Sequence, residues 1–307
     1  MTTTISWCDE VCNPIVGCSR ISPGCQKCYA ETAAKTARLQ QFPQYQKVSK
    51  WNGTVEFVEN QLEKPLKWKK PKKIFICSMA DIFHENVPFD WVEKIFSIIH
   101  ETPQHTYQIL TKRPERMIEF FHWYLAPKND TSFFHWTMPD NIWLGVSCEN
   151  QAMADKRIPL LMQIPAKVRF LSCEPLLEPI NLSKFLPIEW SEIAEDWIES
   201  WPGIGSYSTN DYPSWVIAGG ESGTGARPCH VEWLRDIASQ CQSAKVPVFI
   251  KQLGSNAIAS SPYVDGIGES SDYKLKLKDR KGSDINEFPE GLKLQQFPLT
   301  KPLTKHG

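Results

Sequence analysis

Three cysteines, Cys18, Cys25 and Cys28, stand in the run from Gly17 to Tyr29 with the spacing C-x6-C-x2-C. Cys8 and Cys12 bring the count to five within twenty-one residues. The run is rich in turn-formers, Ser19, Ser22, Pro23 and Gly24 among them, so it reads as a loop. Thiolates gathered in one loop converge on something soft, either an iron–sulfur cluster or zinc. Three of them suit a [4Fe–4S] cluster that leaves one iron open for a substrate or cofactor. A structural zinc site wants four ligands, and Cys8 or Cys12 could supply the fourth. Only Cys25-x2-Cys28 has the spacing of a zinc knuckle.

Other residues capable of chemistry follow short apolar runs. They are Ser78 with Asp81, His84 and Glu85; Thr111-Lys112-Arg113; Ser147 with Glu149; Ser172 with Glu174; Gly219-Gly220-Glu221-Ser222; and Lys251-Gln252. Ser, Thr and Asp alone would be ordinary helix caps. Carboxylates or lysines after six successive runs predict a shared polar site instead. Blander readings stand beside this one. Gly219-Gly220-Glu221 also reads as a tight turn with glycine at positive φ. Lys112-Arg113 could pair with Glu115 or Glu119 on the surface, and His84 could be a hydrogen-bonded support as readily as a catalyst.

The elements that must position these groups repeat a strand-then-helix rhythm. Runs at 74–78, 107–111, 142–146, 168–172, 215–219 and 247–251 are β-branched and aromatic. Helical patterns follow at about 89–100, from Pro114, at 151–162 and at 231–243. An initial strand is expected near Ile5 to Trp7 or Asn13 to Val16, and a helix from Ala30 to Gln41 ended by Pro43. Strands apolar throughout fit a parallel sheet covered on both faces. The fold class is α/β: a TIM-like (β/α) barrel, complete or incomplete, of about seven βα units, with the cysteine loop after the first strand. A doubly wound open sheet is the alternative. In both, the active site gathers at the carboxyl ends of the strands.

The barrel is expected over 1–254, with a Trp-rich insertion at 185–213 carrying Trp190, Trp197 and Trp201. An extended appendage follows over 255–307. Trp123, Trp136 and Trp143 read as core. Cys77, Cys148, Cys173, Cys229 and Cys241 lie in or beside apolar segments and read as buried, inert thiols. The formal net charge of -1 gives no whole-protein field toward nucleic acid. Local basic runs remain, Lys64 to Lys73 and Lys274 to Lys281. No signal-peptide pattern and no run near the roughly 20 apolar residues of a membrane helix is present, so the expectation is a cytoplasmic protein with reduced thiols and no membrane.

A barrel with a three-cysteine loop after its first strand resembles the radical S-adenosylmethionine (SAM) superfamily. That group's usual motif is C-x3-C-x2-C, and the six-residue first gap here departs from it. The chain more closely resembles the phage-associated three-Cys-motif family of undefined function, also found in bacterial genomes. The matching segments are Trp51-Asn52-Gly53-Thr54-Val55-Glu56, Ser78 to Glu85, Leu110 to Met117, Trp143 to Ser147, Phe170 to Leu176, Gly219 to Gly223 and Pro289 to Leu292. Cys8 and Cys12 lie outside the family pattern.

The resemblance implies that Cys18, Cys25 and Cys28 ligate three irons of a [4Fe–4S] cluster and that SAM chelates the fourth. An external electron donor would reduce the cluster, and SAM would be cleaved to a 5′-deoxyadenosyl radical. It further implies that Tyr29 lies against cluster or adenine, that Ser78 and Asp81 meet the SAM amino group, and that Ser147 and Glu149 meet the ribose. Lys112, Glu174, Glu221 and Lys251 are left as the candidate catalytic residues that hold the substrate. Likeness to the photoproduct-lyase branch points to a nucleic acid or nucleotide substrate, and a three-Cys-motif partner protein is an open companion. The competing class is a zinc- or cluster-stabilised nucleic-acid-binding protein without catalysis, with Lys64 to Lys73 and Trp68 as its footprint. A metal-independent hydrolase using Glu174, Glu221 and Lys112 finds no nucleophile motif to support it.

Overall fold

The computed structural model describes residues 3, 5–126, 138–187, 212–261 and 271–298. Seven strands form one parallel sheet in strict chain order: β1 Glu10–Cys12, β2 Lys73–Ile76, β3 Thr106–Thr111, β4 Ile142–Ser147, β5 Val168–Cys173, β6 Trp215–Gly219 and β7 Val248–Gln252. A doubly wound sheet reverses its strand order at a switch point. None occurs here, so each new strand joins the same edge and the sheet curls into a half-barrel.

The alternation of side chains along each strand divides the core in two. On the convex face Ile74, Ile76, Tyr107, Ile109, Leu144, Val146, Leu171 and Val216 belong to the main core. Helices α1 Phe89–Glu101, α2 Pro114–Leu125, α3 Gln151–Leu161 and α4 Val231–Ser243 follow β2, β3, β4 and β6 in chain order and bury their apolar stripes in it. Each begins where its sequence signals: Pro114 opens α2, and the Asn150 side chain accepts the Met153 N–H at 2.9 Å. On the concave face the opposite-parity residues Phe75, Trp143, Phe170, Trp215 and Phe249 form a second cluster with Trp7 and Cys8. This aromatic floor fills the N-terminal half of the concavity. Gly145 makes room for it, because a Cβ there would stand 2.5 Å from the Phe170 ring.

Three local expectations change. Ile5 to Trp7 is no strand: Trp7 plugs the concave face, 3% exposed, and the first sheet strand is Glu10–Cys12, with Ile15–Val16 pairing antiparallel to Glu56–Phe57. The helix expected from Ala30 to Gln41 divides into Tyr29–Ala34 and Ala37–Gln40, because Thr36 turns extended and donates its hydroxyl to Ala33 O. Pro43 starts a short helix, Pro43–Lys47, at its first turn instead of stopping one.

The described residues of the tail pack against the barrel. Ala257–Ser261 pairs with Ser271–Lys274 and with Cys229–His230. Residues 294–296 run antiparallel along β7, through Ile250 N–H to Leu294 O and Gln296 N–H to Val248 O. Phe297 then packs on Trp215 and Phe249, and Lys73 of β2 stands 4.1 Å over its ring. The N-terminal mouth of the half-barrel is thereby bridged. Trp143 is core as expected; Trp136, Trp190, Trp197 and Trp201 lie outside the described residues. Among the described residues no helix is long and apolar enough to cross a membrane.

Candidate functional site

The cysteine loop leaves β1 and lies over the carboxyl ends of the strands, where groups from four of them grip it. After β4, Glu149 is fully buried; its Oε1 accepts the Gly24 N–H at 3.1 Å and the Ser22 hydroxyl, and its Oε2 accepts Arg157 at 2.8 Å. Gly24 permits this approach, since a Cβ there would lie 2.9 Å from the Glu149 carboxyl carbon. After β3, Arg113 donates to Asp81 at 3.3 Å, Glu85 at 2.9 Å, Ser19 O at 3.3 Å and the Cys18 sulfur at 3.7 Å. After β2, His84 meets the Ser19 hydroxyl at 2.8 Å through Nε2, while its Nδ1 accepts the Asn86 N–H. After β6, Glu221 accepts Arg227 at 2.5 Å, and Arg227 reaches on to Pro23 O at 2.8 Å. Gly220 allows β6 and β7 to meet: a Cβ there would be 2.3 Å from Leu253 O, so close approach and not positive φ explains this glycine.

These contacts place several sequence-predicted residues within the loop's support. Asp81 accepts Phe83 N–H, Thr111 hydroxyl, Lys112 N–H and Arg113, so both its oxygens are engaged inside the protein. Glu149 and Glu221 are engaged likewise. The surface pairing of Lys112-Arg113 with Glu115 or Glu119 does not occur. Glu115 pairs with Lys156 and Glu119 with Arg116, while Arg113 is buried.

A second group lies at the carboxyl-end rim, where Lys112, Ser147, Glu174 and Lys251 keep the parity of the concave face. Lys112 donates to the Ser147 hydroxyl at 3.2 Å, Lys251 to Glu174 at 2.6 Å, the Tyr29 hydroxyl to Ser78 O at 2.6 Å, and the Ser78 hydroxyl to Asn13 at 3.0 Å. Tyr29 is 55% exposed, so this rim opens to solvent. Along one side of the loop, a groove of about 620 Å³ is lined by Ile21 of the loop with Glu85, Lys112, Arg113, Glu115, Arg116 and Lys156, among others.

The thiols divide by position. Cys18 and Cys28 pack on one apolar cluster with Val16, Ala30 and Trp51, and the Cys25 sulfur lies 3.7 Å from the Ser22 hydroxyl. Burial pushes the Cys18 thiol up to about 12; Asp81 adds to the shift and Arg113 opposes it. Cys12 is in the convex core with its thiol on Gln61 O, and Cys8 is in the concave floor. They lie on opposite faces of the sheet, away from the cluster under Cys18 and Cys28. The five scattered cysteines are buried as expected. Among the described residues no three His, Cys, Asp or Glu side chains form a cage for a metal ion. Three thiols on one loop, two of them on one apolar cluster, are the donor chemistry that an iron–sulfur cluster or a thiolate-held zinc takes.

A family model described as a protein of unknown function (DUF5131) matches residues 2–289. The chain belongs to that family. The matched region spans the cysteine loop, all seven sheet strands and the groups that hold the loop. No curated protein and no solved structure matches the chain.

Three residues of the clamp were not singled out from sequence. Arg157 carried a signal: it shares the apolar stripe of α3 with Ala154, Ile158 and Leu161, where a charge must have a buried partner. Arg227 follows Glu221 across a glycine turn, a weaker sign. Ser22 carried none, because its partner Glu149 is 127 residues away.

Proposed function

We propose that this protein is an iron–sulfur, SAM-dependent radical enzyme acting on a nucleic acid or nucleotide. One observation carries the reading: groups from four strand ends converge on a three-cysteine loop and hold it over the polar rim of a half-barrel. A binding loop fixed by buried charges is what ordered ligation of a cofactor needs. Cys18, Cys25 and Cys28 would hold a [4Fe–4S] cluster. When bound, the reduced cluster supplies the electron for reductive cleavage of SAM.

The chain's own residues divide the remaining work. Asp81, Glu149 and Glu221 hold the loop and strand ends in register. Tyr29, Ser78 and Ser147 offer hydroxyls at the rim for SAM. Lys112, Glu174 and Lys251 present two ammonium groups and a carboxylate to a substrate, with the lysines suited to phosphate oxygens. The aromatic floor closes the other end of the concavity to water.

The test is anaerobic purification with iron, sulfide and zinc analysis. About four irons with broad visible absorption are expected. Cys18→Ala, Cys25→Ala and Cys28→Ala should each abolish the iron, whereas Cys8→Ala and Cys12→Ala should not. With dithionite and SAM, the intact protein should release 5′-deoxyadenosine. Stoichiometric zinc without iron would overturn the reading, and iron without SAM cleavage would leave a cluster-stabilised nucleic-acid-binding protein.

A further inference from the structure

Arg113 is the one described strand-end side chain with a hydrogen bond to a thiol of the three-cysteine motif. It is 7% exposed, and its fork is fixed on three sides: Nε on Glu85, Nη1 on Asp81 and Cys18, Nη2 on the carbonyl and hydroxyl of Ser19. Asp81 is itself held by Thr111 and by the Phe83 and Lys112 amides, so the guanidinium cannot swing away from the sulfur without breaking buried pairs. A buried cation beside a thiolate ligand stabilises the extra negative charge that reduction brings. Hydrogen bonds to ligand sulfurs and local charge are among the terms that set a cluster's potential.

We propose that Arg113 is a positioning residue that raises the reduction potential of a cluster held by Cys18, Cys25 and Cys28, through its hydrogen bond to the Cys18 sulfur. This rests on the cluster reading of the loop. Arg113 thereby links strand β3 to the electronics of the site, and Asp81 and Glu85 serve as the groups that aim it. A lysine would keep the charge but not the fork, because one ammonium cannot meet Asp81, Glu85, Ser19 and Cys18 in the same geometry.

The experiment is a dithionite titration of the anaerobically reconstituted full chain, following the reduced cluster by electron paramagnetic resonance. In Arg113→Gln the ratio of reduced to oxidised cluster at a fixed solution potential should fall about tenfold, or about 59 mV for one electron. Arg113→Lys should fall by less. Arg116→Gln should not move it, because Arg116 lines the same groove but bonds Glu119. A purely structural role would lower iron content and leave the potential of the remaining cluster unchanged; that result overturns the inference. If Arg113→Gln retains no iron, Arg113→Lys decides on the same criterion. A wild-type protein that takes up no iron overturns the cluster reading itself, which is a different outcome from an unchanged potential.

Discussion

The two ends of the concave face are built on opposite principles. At the amino ends of the strands Trp7, Phe75, Trp143, Phe170, Trp215 and Phe249 meet with ring centroids as close as 4.7 Å and no ionised group among them. Beyond the carboxyl ends of these strands, the buried charged groups include Asp81, Arg113, Glu149 and Glu221, with Arg157 reaching in from α3. Apolar packing is non-directional and tolerates some repacking. Buried charges are stable only when each finds its partners, so they fix one geometry and forfeit most when one member is lost. The floor supplies stability, and the clamp supplies a position for the cysteine loop.

The largest effects should come from one deletion at each end. Trp215→Ala removes a fully buried ring that touches Trp7, Trp143, Phe170, Phe249 and Phe297, and should lower unfolding free energy by about 3–5 kcal/mol in a urea titration. Glu149→Ala leaves Arg157 buried without its carboxylate and should cost a similar amount, about 3–5 kcal/mol. Hydrogen exchange separates the two: only Glu149→Ala should free the Gly24 amide while the protein is still folded. Equal loop exchange in both variants would erase the distinction between floor and clamp.

A smaller effect is expected from Arg227→Gln, which loses the paired bonds to Glu221 and the reach to Pro23 O. Removing these charge-assisted bonds should cost about 1.5–3 kcal/mol, with faster proteolysis near Pro23 as the local sign. Wild-type proteolysis rates there would show that the Arg227 contact to Pro23 is not one of the contacts that hold the loop.

The mildest test is pH. Burial acts to raise the Glu149 carboxyl, but Lys112, Arg157 and the Ser22 hydroxyl outweigh it and hold it below the usual range. Glu221 is held low in the same way by Arg227 against its own burial. Folded values below an unfolded value of about 4.3 mean that this stabilisation is fully present above about pH 4.3 and is lost as pH falls through the folded values. After correction for intrinsic rates, exchange of the loop amides should rise on acidification below that point before exchange of the floor does. A floor that loosens first would contradict the division.

Much of the barrel was legible. The strands and helices carry their periods and caps locally, and the repeated strand-then-helix rhythm points to parallel strands, so the seven strands and the position of the cysteine loop before most of them were largely readable in order. The polar residue types that follow six of the strands were also present in the sequence. What local pattern could not decide was partnership. Ile5 to Trp7 has strand-like composition, yet Trp7 turns inward because the half-barrel leaves a concave face that only a bulky residue from outside the sheet can fill. Glu149 and Glu221 read as strand-end carboxylates, but that their oxygens meet Gly24, Ser22, Arg157 and Arg227 is decided only by the folded chain. The sequence alone determined which groups stand at the strand ends, because backbone period is a local property. Tertiary structure decided which of them grip the loop and which face the rim, because a buried charge is satisfied by whatever partner the folded chain brings within hydrogen-bond reach, however distant in sequence.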